Sequence, residues 1–169
     1  MKFLQHFAKR TFSRSDLSSS NVNDRDADGL TKLHFAVAKG DLAEIKRLLA
    51  VGADVNCRTG GKYSGQTALH IASRDGHFDI VRFLLDTAAD IDAQTEFGYA
   101  MYIYIFCRSF EPKFFQISLT PLHYASMNGQ VSAVEFLAFE GADVRKRDRF
   151  GCVGILFLVI WFRNRAFIH

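Results

Sequence analysis

Three histidines that recur in one local sequence are the first residues to consider for chemistry. His34, His70 and His123 each close a Thr-x-Leu-His tetrad. Imidazole rings can hold a metal ion or transfer a proton near neutral pH. The three tetrads share one context, however, and no nucleophile paired with a base, phosphate-binding glycine loop or pair of carboxylates stands out beside them. We therefore expect structural histidines and no enzymatic activity.

The tetrads belong to a longer repeated unit. It reads GLTKLHFAVAKGDLAEIKRLLAVGAD over residues 29–54, returns over 65–90, and returns in part over 120–143. In the middle copy Asp75 and Gly76 interrupt a short apolar stretch, and Phe78, Val81 and Leu84 then follow at helical spacing. This pattern predicts two helices joined by a turn, with an extended finger loop after them. A unit of about 33 residues cannot bury its own apolar face and must stack on its neighbours.

Each tetrad is followed by Ala, Gly, a Leu-Leu-like pair and then Gly-Ala-Asp, or Ala-Ala-Asp in the second copy, and this pattern gives the chain its family resemblance. Over about residues 21–151 it resembles the ankyrin-repeat proteins. The resemblance implies an all-α solenoid of helix pairs with hairpin fingers, containing about three repeats and a truncated fourth. We place the repeats at about 26–58, 62–94 and 95–147. It also implies that each histidine bonds to loop groups and ties one repeat to the next.

The second repeat departs from the family pattern in two places. Ala88 stands where glycine normally ends the second helix, and a left-handed backbone there would cost alanine up to about 1 kcal/mol. The finger near residues 59–61 is longer than that of the first repeat by about three residues.

Two apolar segments break the repeat pattern. Residues 100–119 form an insert in the third repeat, and residues 152–169 form an apolar tail that begins at the same repeat position. Because both segments begin at the same position of the repeat, we favour one common cause, the translation of unspliced introns. The alternative is that both are genuine protein segments. The apolar run at 153–162 has half the length of about 20 residues that a membrane-spanning helix needs. We therefore expect no membrane association, and packing of the tail on the third repeat is a further alternative.

The N-terminal residues 1–20 are predicted to be a flexible or amphipathic segment. They are basic, contain serine and arginine, and carry no acid before Asp16, as mitochondrial targeting peptides do. We predict a cytoplasmic protein, with mitochondrial and nuclear locations as alternatives.

Charge and cysteine content argue against two further classes of site. The net charge is +3, but the basic ends leave a repeat body of about −5, which disfavours a nucleic-acid groove. Cys57, Cys107 and Cys152 lack metal-ligand spacing, and reduced thiols are expected. We predict no nucleic acid, metal or cofactor.

Function is therefore sought in a binding surface. The resemblance implies a non-catalytic adaptor that binds a partner protein through its finger tips and the concave side of its first helices. Because the repeat body is acidic, we expect a partner segment with basic and apolar side chains. The alternative is the regulatory ankyrin portion of a larger enzyme or channel. The candidate contact residues are Asp28, Leu30, Lys39, Arg58, Tyr63, Gln66, Arg74, Asp75, Phe97, Tyr99, Met127 and Asn128.

Overall fold

The computed structural model describes residues 21–27, 29–60, 65–96 and 118–147, and these residues contain six helices. The first pair is α1 (Lys32–Lys39) and α2 (Leu42–Ala50), the second is α3 (Ala68–Asp75) and α4 (Phe78–Asp86), and the third is α5 (Pro121–Met127) and α6 (Val131–Phe139). Each pair corresponds to one copy of the repeated unit. The prediction of an all-α repeat fold is confirmed.

The helices form two layers. The first helices α1, α3 and α5 pack side by side as an inner layer, and each contacts the second helix of its own pair. The second helices make the outer layer, in which α4 contacts α6. The repeats therefore stack in the order of the sequence, as a repeated unit that cannot bury its own apolar face requires.

The core uses the same side chains in each repeat. Leu33, Leu69 and Leu122 are at most 1% exposed, and alanines at equivalent places let the inner helices approach their neighbours. Larger apolar residues of the outer helices complete one continuous cluster, which includes Leu84 and Leu137. No single repeat encloses this cluster, so its burial depends on stacking.

The inner helices begin and end at recurring residue types. Thr31, Thr67 and Thr120 each precede a helix in extended conformation and act as the N-cap residue. At the other end, Gly40 and Gly76 both have φ +74° and terminate α1 and α3 in the left-handed region. A left-handed residue after a helix is most favourable when it is glycine.

Ala88 is strained in the manner that its sequence position predicted. It has φ +64° after α4, whereas Gly52 and Gly141 occupy the equivalent places at +93° and +95°. Replacing Ala88 by Gly should therefore raise the free energy of unfolding by about 0.5–1 kcal/mol, because glycine has no Cβ to strain. Urea unfolding followed by circular dichroism measures this change.

The matched control for this substitution is Ala43→Gly. Ala43 is exposed and lies within α2, where glycine should lower stability because it loses more backbone entropy. Equal losses of stability in the two variants would contradict the assignment of strain to Ala88.

Candidate interaction surface

The three repeated histidines are structural elements of the stack. His34, His70 and His123 are at most 1% exposed. The backbone N–H of Thr31 donates to His34 Nδ1 at 3.1 Å, and Thr67 and His70 repeat this bond at 3.1 Å. Because Nδ1 accepts a hydrogen bond, the ring proton is placed on Nε2.

The Nε2 atoms join each repeat to the loop that follows it. His34 Nε2 donates to the Cys57 carbonyl and His70 Nε2 donates to the Leu119 carbonyl, each at 3.0 Å. Burial lowers the pKa of both histidines to about 4, so the rings are neutral near pH 7. His34 thus bonds to the loop at the end of its own repeat, and the expected link to the next repeat is confirmed for His70. Within residues 21–27, 29–60, 65–96 and 118–147, no group of three His, Cys, Asp or Glu could hold a metal ion.

The three fingers are closed at their bases by one arrangement of backbone and side-chain bonds. In the first, the Asp26 N–H donates to the Leu30 carbonyl at 2.9 Å, and the Leu30 N–H donates to Asp26 Oδ1 at 2.8 Å. In the second, the Thr59 N–H donates to the Gln66 carbonyl at 2.8 Å, and the Gln66 N–H donates to Thr59 Oγ1 at 3.0 Å. A short side-chain acceptor at the first position therefore fixes the start of each repeat.

The third finger has the same closure despite its insert. The Thr95 N–H donates to the Leu119 carbonyl at 3.0 Å, and the Leu119 N–H donates to Thr95 Oγ1 at 3.0 Å. Leu119 thus takes the position of Leu30 and Gln66, which places the extra residues one position earlier than 100–119. The closures enclose residues 27–29, 60–65 and 96–118, so the finger near residues 59–61 is lengthened as predicted.

A second set of bonds links the turns on the outer side of the repeats. Asn56 Nδ2 donates to the Ala88 carbonyl at 3.2 Å, and the Asp90 N–H donates to Asn56 Oδ1 at 2.8 Å. Asp92 holds the next turn, because its Oδ1 accepts the Asp143 N–H at 3.1 Å. These bonds repeat at one edge of the stack and fix the spacing between its units.

The C-terminal ends of the inner helices form two rows across the repeats, which we call the inner-helix rows. The first row contains Ala38, Arg74 and Met127, and the second contains Lys39, Asp75 and Asn128. Lys39 is exposed at the end of α1 and makes no ion pair with a described residue. The rows bring together five of the predicted contact residues on one side of the inner layer.

The polar members of these rows differ in their exposure and in their hydrogen bonds. Arg74 Nε and Nη2 donate to the two carboxylate oxygens of Asp75 at 2.8 and 3.0 Å. The two side chains are only 14% and 8% exposed, so this pair is a fixed feature of the surface. Asn128 Nδ2 donates to the Tyr124 carbonyl at 2.8 Å, and Met127 packs on the side chains of Leu119 and Tyr124. Lys39 is therefore the most exposed charged group of the rows.

Two predicted contact residues are buried inside the chain. Leu30 is 2% exposed and Gln66 is 1% exposed. Gln66 Nε2 donates to the Tyr124 hydroxyl at 3.1 Å, and burial raises the pKa of Tyr124 to about 12. We leave Leu30 and Gln66 out of the surface because a partner cannot reach them. Arg58 is half-buried and donates to the Gln94 carbonyl.

Tyr124 is a residue that the sequence analysis did not single out. Its ring packs edge-on against His70 with centroids 5.3 Å apart, and its hydroxyl accepts the bond from Gln66. The signal was present in the sequence, since Phe35 and Ile71 stand at the equivalent positions and only Tyr124 carries a hydroxyl. A polar atom at a buried apolar position usually has a partner.

Several predictions fall outside the part of the chain that the structure describes. These are the contact residues Asp28, Tyr63, Phe97 and Tyr99, and the assignments for residues 1–20, 100–117 and 152–169.

The charge of the repeat body does not lie on the inner-helix rows. The exposed carboxylates of the described residues belong mainly to the outer helices and the turns beside them, and include Asp41, Asp54, Asp79, Asp86, Asp90, Glu135, Glu140 and Asp143. The rows themselves carry Lys39 and a paired Arg74 and Asp75. Within the described residues the body's negative charge therefore lies mainly outside the rows, and the basic partner segment stays a prediction.

Comparison with family models agrees with this architecture. A model described as ankyrin repeats in three copies matches residues 4–95, and one described as an ankyrin repeat matches residues 119–149. The first alone covers more than half of the chain, which belongs to the ankyrin-repeat family. Domains of this family are generally protein–protein interaction modules and are typically non-catalytic.

The described helices are short. None of the six exceeds nine residues, and within the described ranges no helix is long and apolar enough to cross a membrane.

Proposed function

We propose that the chain is a non-catalytic adaptor that binds a partner protein across the inner-helix rows and the adjacent finger tips. The rows contribute Lys39, Arg74, Asp75, Met127 and Asn128, and Arg58 lies at the base of a finger. Asp28, Tyr63, Phe97 and Tyr99 complete the proposal at the finger positions. An ankyrin fold alone carries no specificity, so the proposal depends on these side chains.

The supporting observation is a contrast between constant and varied positions within this one chain. Positions with a structural task keep their chemistry in all three repeats, as Leu33, Leu69 and Leu122 do in the core. Positions in the rows change from Ala38 to Arg74 to Met127, and from Lys39 to Asp75 to Asn128. Packing does not require this variety, whereas recognition of a chemically varied segment does.

The charges of the rows define the partner segment. Lys39 presents an exposed cation at one end of the second row, while Met127 presents a partly buried thioether at the other end of the first. Thioethers adapt to varied apolar shapes. A complementary segment would place a carboxylate near Lys39 and an apolar side chain near Met127.

Site-directed photo-crosslinking in cells tests this assignment. A photoreactive phenylalanine analogue at Lys39 and, separately, at Asn128 should capture one common partner protein. The matched control positions are Ala43 and Ser132, which are exposed on outer helices of the same first and third repeats. Capture of the same protein with equal yield from the control positions would contradict the proposed surface.

Charge reversal then tests the role of Lys39. With the captured partner purified, Lys39→Glu should weaken binding by about tenfold, equivalent to about 1.4 kcal/mol, because it replaces attraction by repulsion. Lys46→Glu on the outer helix α2 is the control and should leave affinity within about twofold. Unchanged affinity in Lys39→Glu would remove the carboxylate from the proposed partner segment.

The remaining alternatives stay predictions. A regulatory role within a larger enzyme or channel requires further coding sequence after the fourth repeat, which a sequenced full-length transcript would reveal. The cytoplasmic location, with mitochondrial and nuclear alternatives, is likewise part of the proposal.

A further inference from the structure

The outer side of the third repeat carries the most exposed large apolar side chain of the described residues. Phe139, the last residue of α6, is 86% exposed. The equivalent positions of the first two repeats hold Ala50 and Asp86. Packing of the outer layer therefore does not require an aromatic ring at this position, and the fold gives no reason for Phe139.

Phe139 continues a strip of aromatic rings that crosses two outer helices. Phe78, the first residue of α4, is 37% exposed and packs edge-on against Phe136 of α6, with ring centroids 5.2 Å apart. Phe139 follows Phe136 by three positions, which places both on one side of α6. We call Phe78, Phe136 and Phe139 the aromatic strip. Contiguous exposed apolar surface marks interaction sites, whereas single exposed apolar residues are ordinary.

Carboxylates surround the aromatic strip. Glu135 lies one turn before Phe139 and Glu140 follows it directly, while Asp86 ends α4 at the position equivalent to Phe139; all three carboxylates are exposed. None of them forms an ion pair with another residue of the described ranges. Arg82 is the one basic residue of α4 and α6. An occupant that carries positive charge beside its apolar side chains is therefore favoured.

The chain itself shows how a cation covers a phenylalanine of the outer layer. Lys46 of α2 places its Nζ 5.4 Å from the centroid of the Phe83 ring on α4. Phe83 occupies in the second repeat the position that Phe136 occupies in the third. The face of an aromatic ring attracts a cation within about 6 Å of its centroid. A lysine or arginine of a partner would cover Phe139 in the same way.

We propose that the aromatic strip and the carboxylates of Asp86, Glu135 and Glu140 bind a segment of a partner protein in which lysine or arginine flanks apolar side chains. This surface lies on the outer layer, whereas the inner-helix rows lie on the inner layer. The inference therefore does not depend on the rows. If both surfaces are used, the chain can hold two partners at once.

The charge of this surface disfavours two other occupants. In a symmetric dimer the same patch of each copy meets itself, so the carboxylates of one copy would face the same carboxylates of the other. Like charges brought together in this way weaken association. Anionic lipid surfaces attract lysine and arginine, and they repel carboxylates. A basic protein segment meets neither obstacle.

A designed peptide tests the surface with the full chain in solution. The probe is a fluorescein-labelled helical peptide with leucines on one face and lysines on the other, and a matched peptide has glutamate in place of lysine. Fluorescence anisotropy should show binding of the lysine peptide alone. Its affinity should fall as the ionic strength rises from about 50 to about 300 mM, because salt screens exposed charges. Equal affinity for the two peptides would overturn the proposal.

Phe139→Ser tests whether the peptide binds at the aromatic strip. It should weaken binding of the lysine peptide by about tenfold, because the complex then buries less apolar surface. Val51→Ser is the matched control, since Val51 is 58% exposed at the end of α2 and lies outside the strip. This control should leave the affinity within about twofold. Equal weakening in the two variants would count against the strip.

Reversal of charge tests the carboxylates. A variant with both Glu135→Lys and Glu140→Lys should lose the lysine peptide and bind the glutamate peptide, because the sign of the surface is reversed. Both residues are exposed, and a lysine at the C-terminal end of α6 suits the helix dipole, so the fold should be retained. An unchanged preference for the lysine peptide would overturn the role of these carboxylates.

Other occupants of this surface predict different results for Phe139→Ser, and each would overturn the proposal. A urea midpoint lowered far more than in Val51→Ser would mean that the chain covers the strip itself. A dimer of the unaltered chain that dissociates in the variant, measured by sedimentation, would assign the strip to a second copy. Binding to phosphatidylcholine–phosphatidylserine vesicles that is lost in the variant would assign it to a lipid surface.

Discussion

Lowering the pH from about 6.5 to 4.5 should reduce the free energy of unfolding by roughly 2–3 kcal/mol for each pH unit. His34 and His70 are the cause, because burial lowers the pKa of each to about 4 in the folded chain. In the unfolded chain both return to about 6.5. Two groups that each contribute about 1.4 kcal/mol per pH unit give the expected slope.

The direction follows from which state binds protons. Between about pH 4 and 6.5 the unfolded chain is protonated at both histidines while the folded chain is not, so acid favours unfolding. Above about pH 6.5 both states are neutral at these rings, and their contribution to stability is fully present. A proton on Nδ1 of His70 would also displace the bond from the Thr67 N–H.

Urea unfolding followed by circular dichroism, in half-unit steps between about pH 7.5 and 4.5, measures this slope. The range stops at about pH 4.5 so that Glu44 stays ionised in the folded chain. Its hydrogen bond to Arg47 lowers the pKa of this carboxyl. Each of the single variants His34→Asn and His70→Asn should lose about half of the slope, in addition to an overall loss of stability. A free energy of unfolding that stays constant across the range would refute neutral burial of these rings.

Local sequence rules predicted much of the repeat because local residues determine it. Gly76 ends α3 and the turn after α4 is strained at Ala88, as predicted. The link from His70 to the next loop was also predicted, from the family resemblance. These features depend on a few neighbouring residues, or on a bond that recurs identically in every copy.

The surface was harder to predict because it depends on contacts between repeats. Leu30 and Gln66 lie next to a finger tip in sequence, yet both are buried. Gln66 reaches Tyr124, 58 positions away, and the enclosed loop has variable length. No local pattern specifies how such a loop is oriented, so residues at the finger base were assigned to the finger surface.

The location of the charges on the surface could not be predicted from the sequence for a related reason. A net charge for the repeat body counts Asp54, Asp90 and Asp143 with the same weight as Asp75. The structure places the first three on exposed turns and pairs Asp75 with Arg74. Summation over the sequence cannot distinguish these environments, whereas recognition depends on them.

Replacing Gly29 by Ala should lower the free energy of unfolding by about 2–4 kcal/mol. The backbone at Gly29 has φ +76°, where alanine is strained by about 1 kcal/mol. A Cβ at this position would also lie 2.5 Å from both the nitrogen and the Cα of Gly60 in the next repeat. These atoms are backbone and cannot rotate away, so the fingers must separate, at a cost of about 1–3 kcal/mol.

Gly52→Ala isolates the contact between fingers from the backbone strain. Gly52 has φ +93°, but a Cβ there would meet no atom within 4 Å, so its loss should be only about 1 kcal/mol. Urea unfolding of the two variants therefore measures the cost of separating the first two fingers as a difference. The Gly60 N–H donates to the Gly29 carbonyl at 3.1 Å, and this bond should weaken only in Gly29→Ala. Equal losses in the free energy of unfolding of both variants would show that close packing of the fingers contributes nothing to the stack. A larger loss in Gly29→Ala would identify the finger bases as a contact through which one repeat stabilises the next.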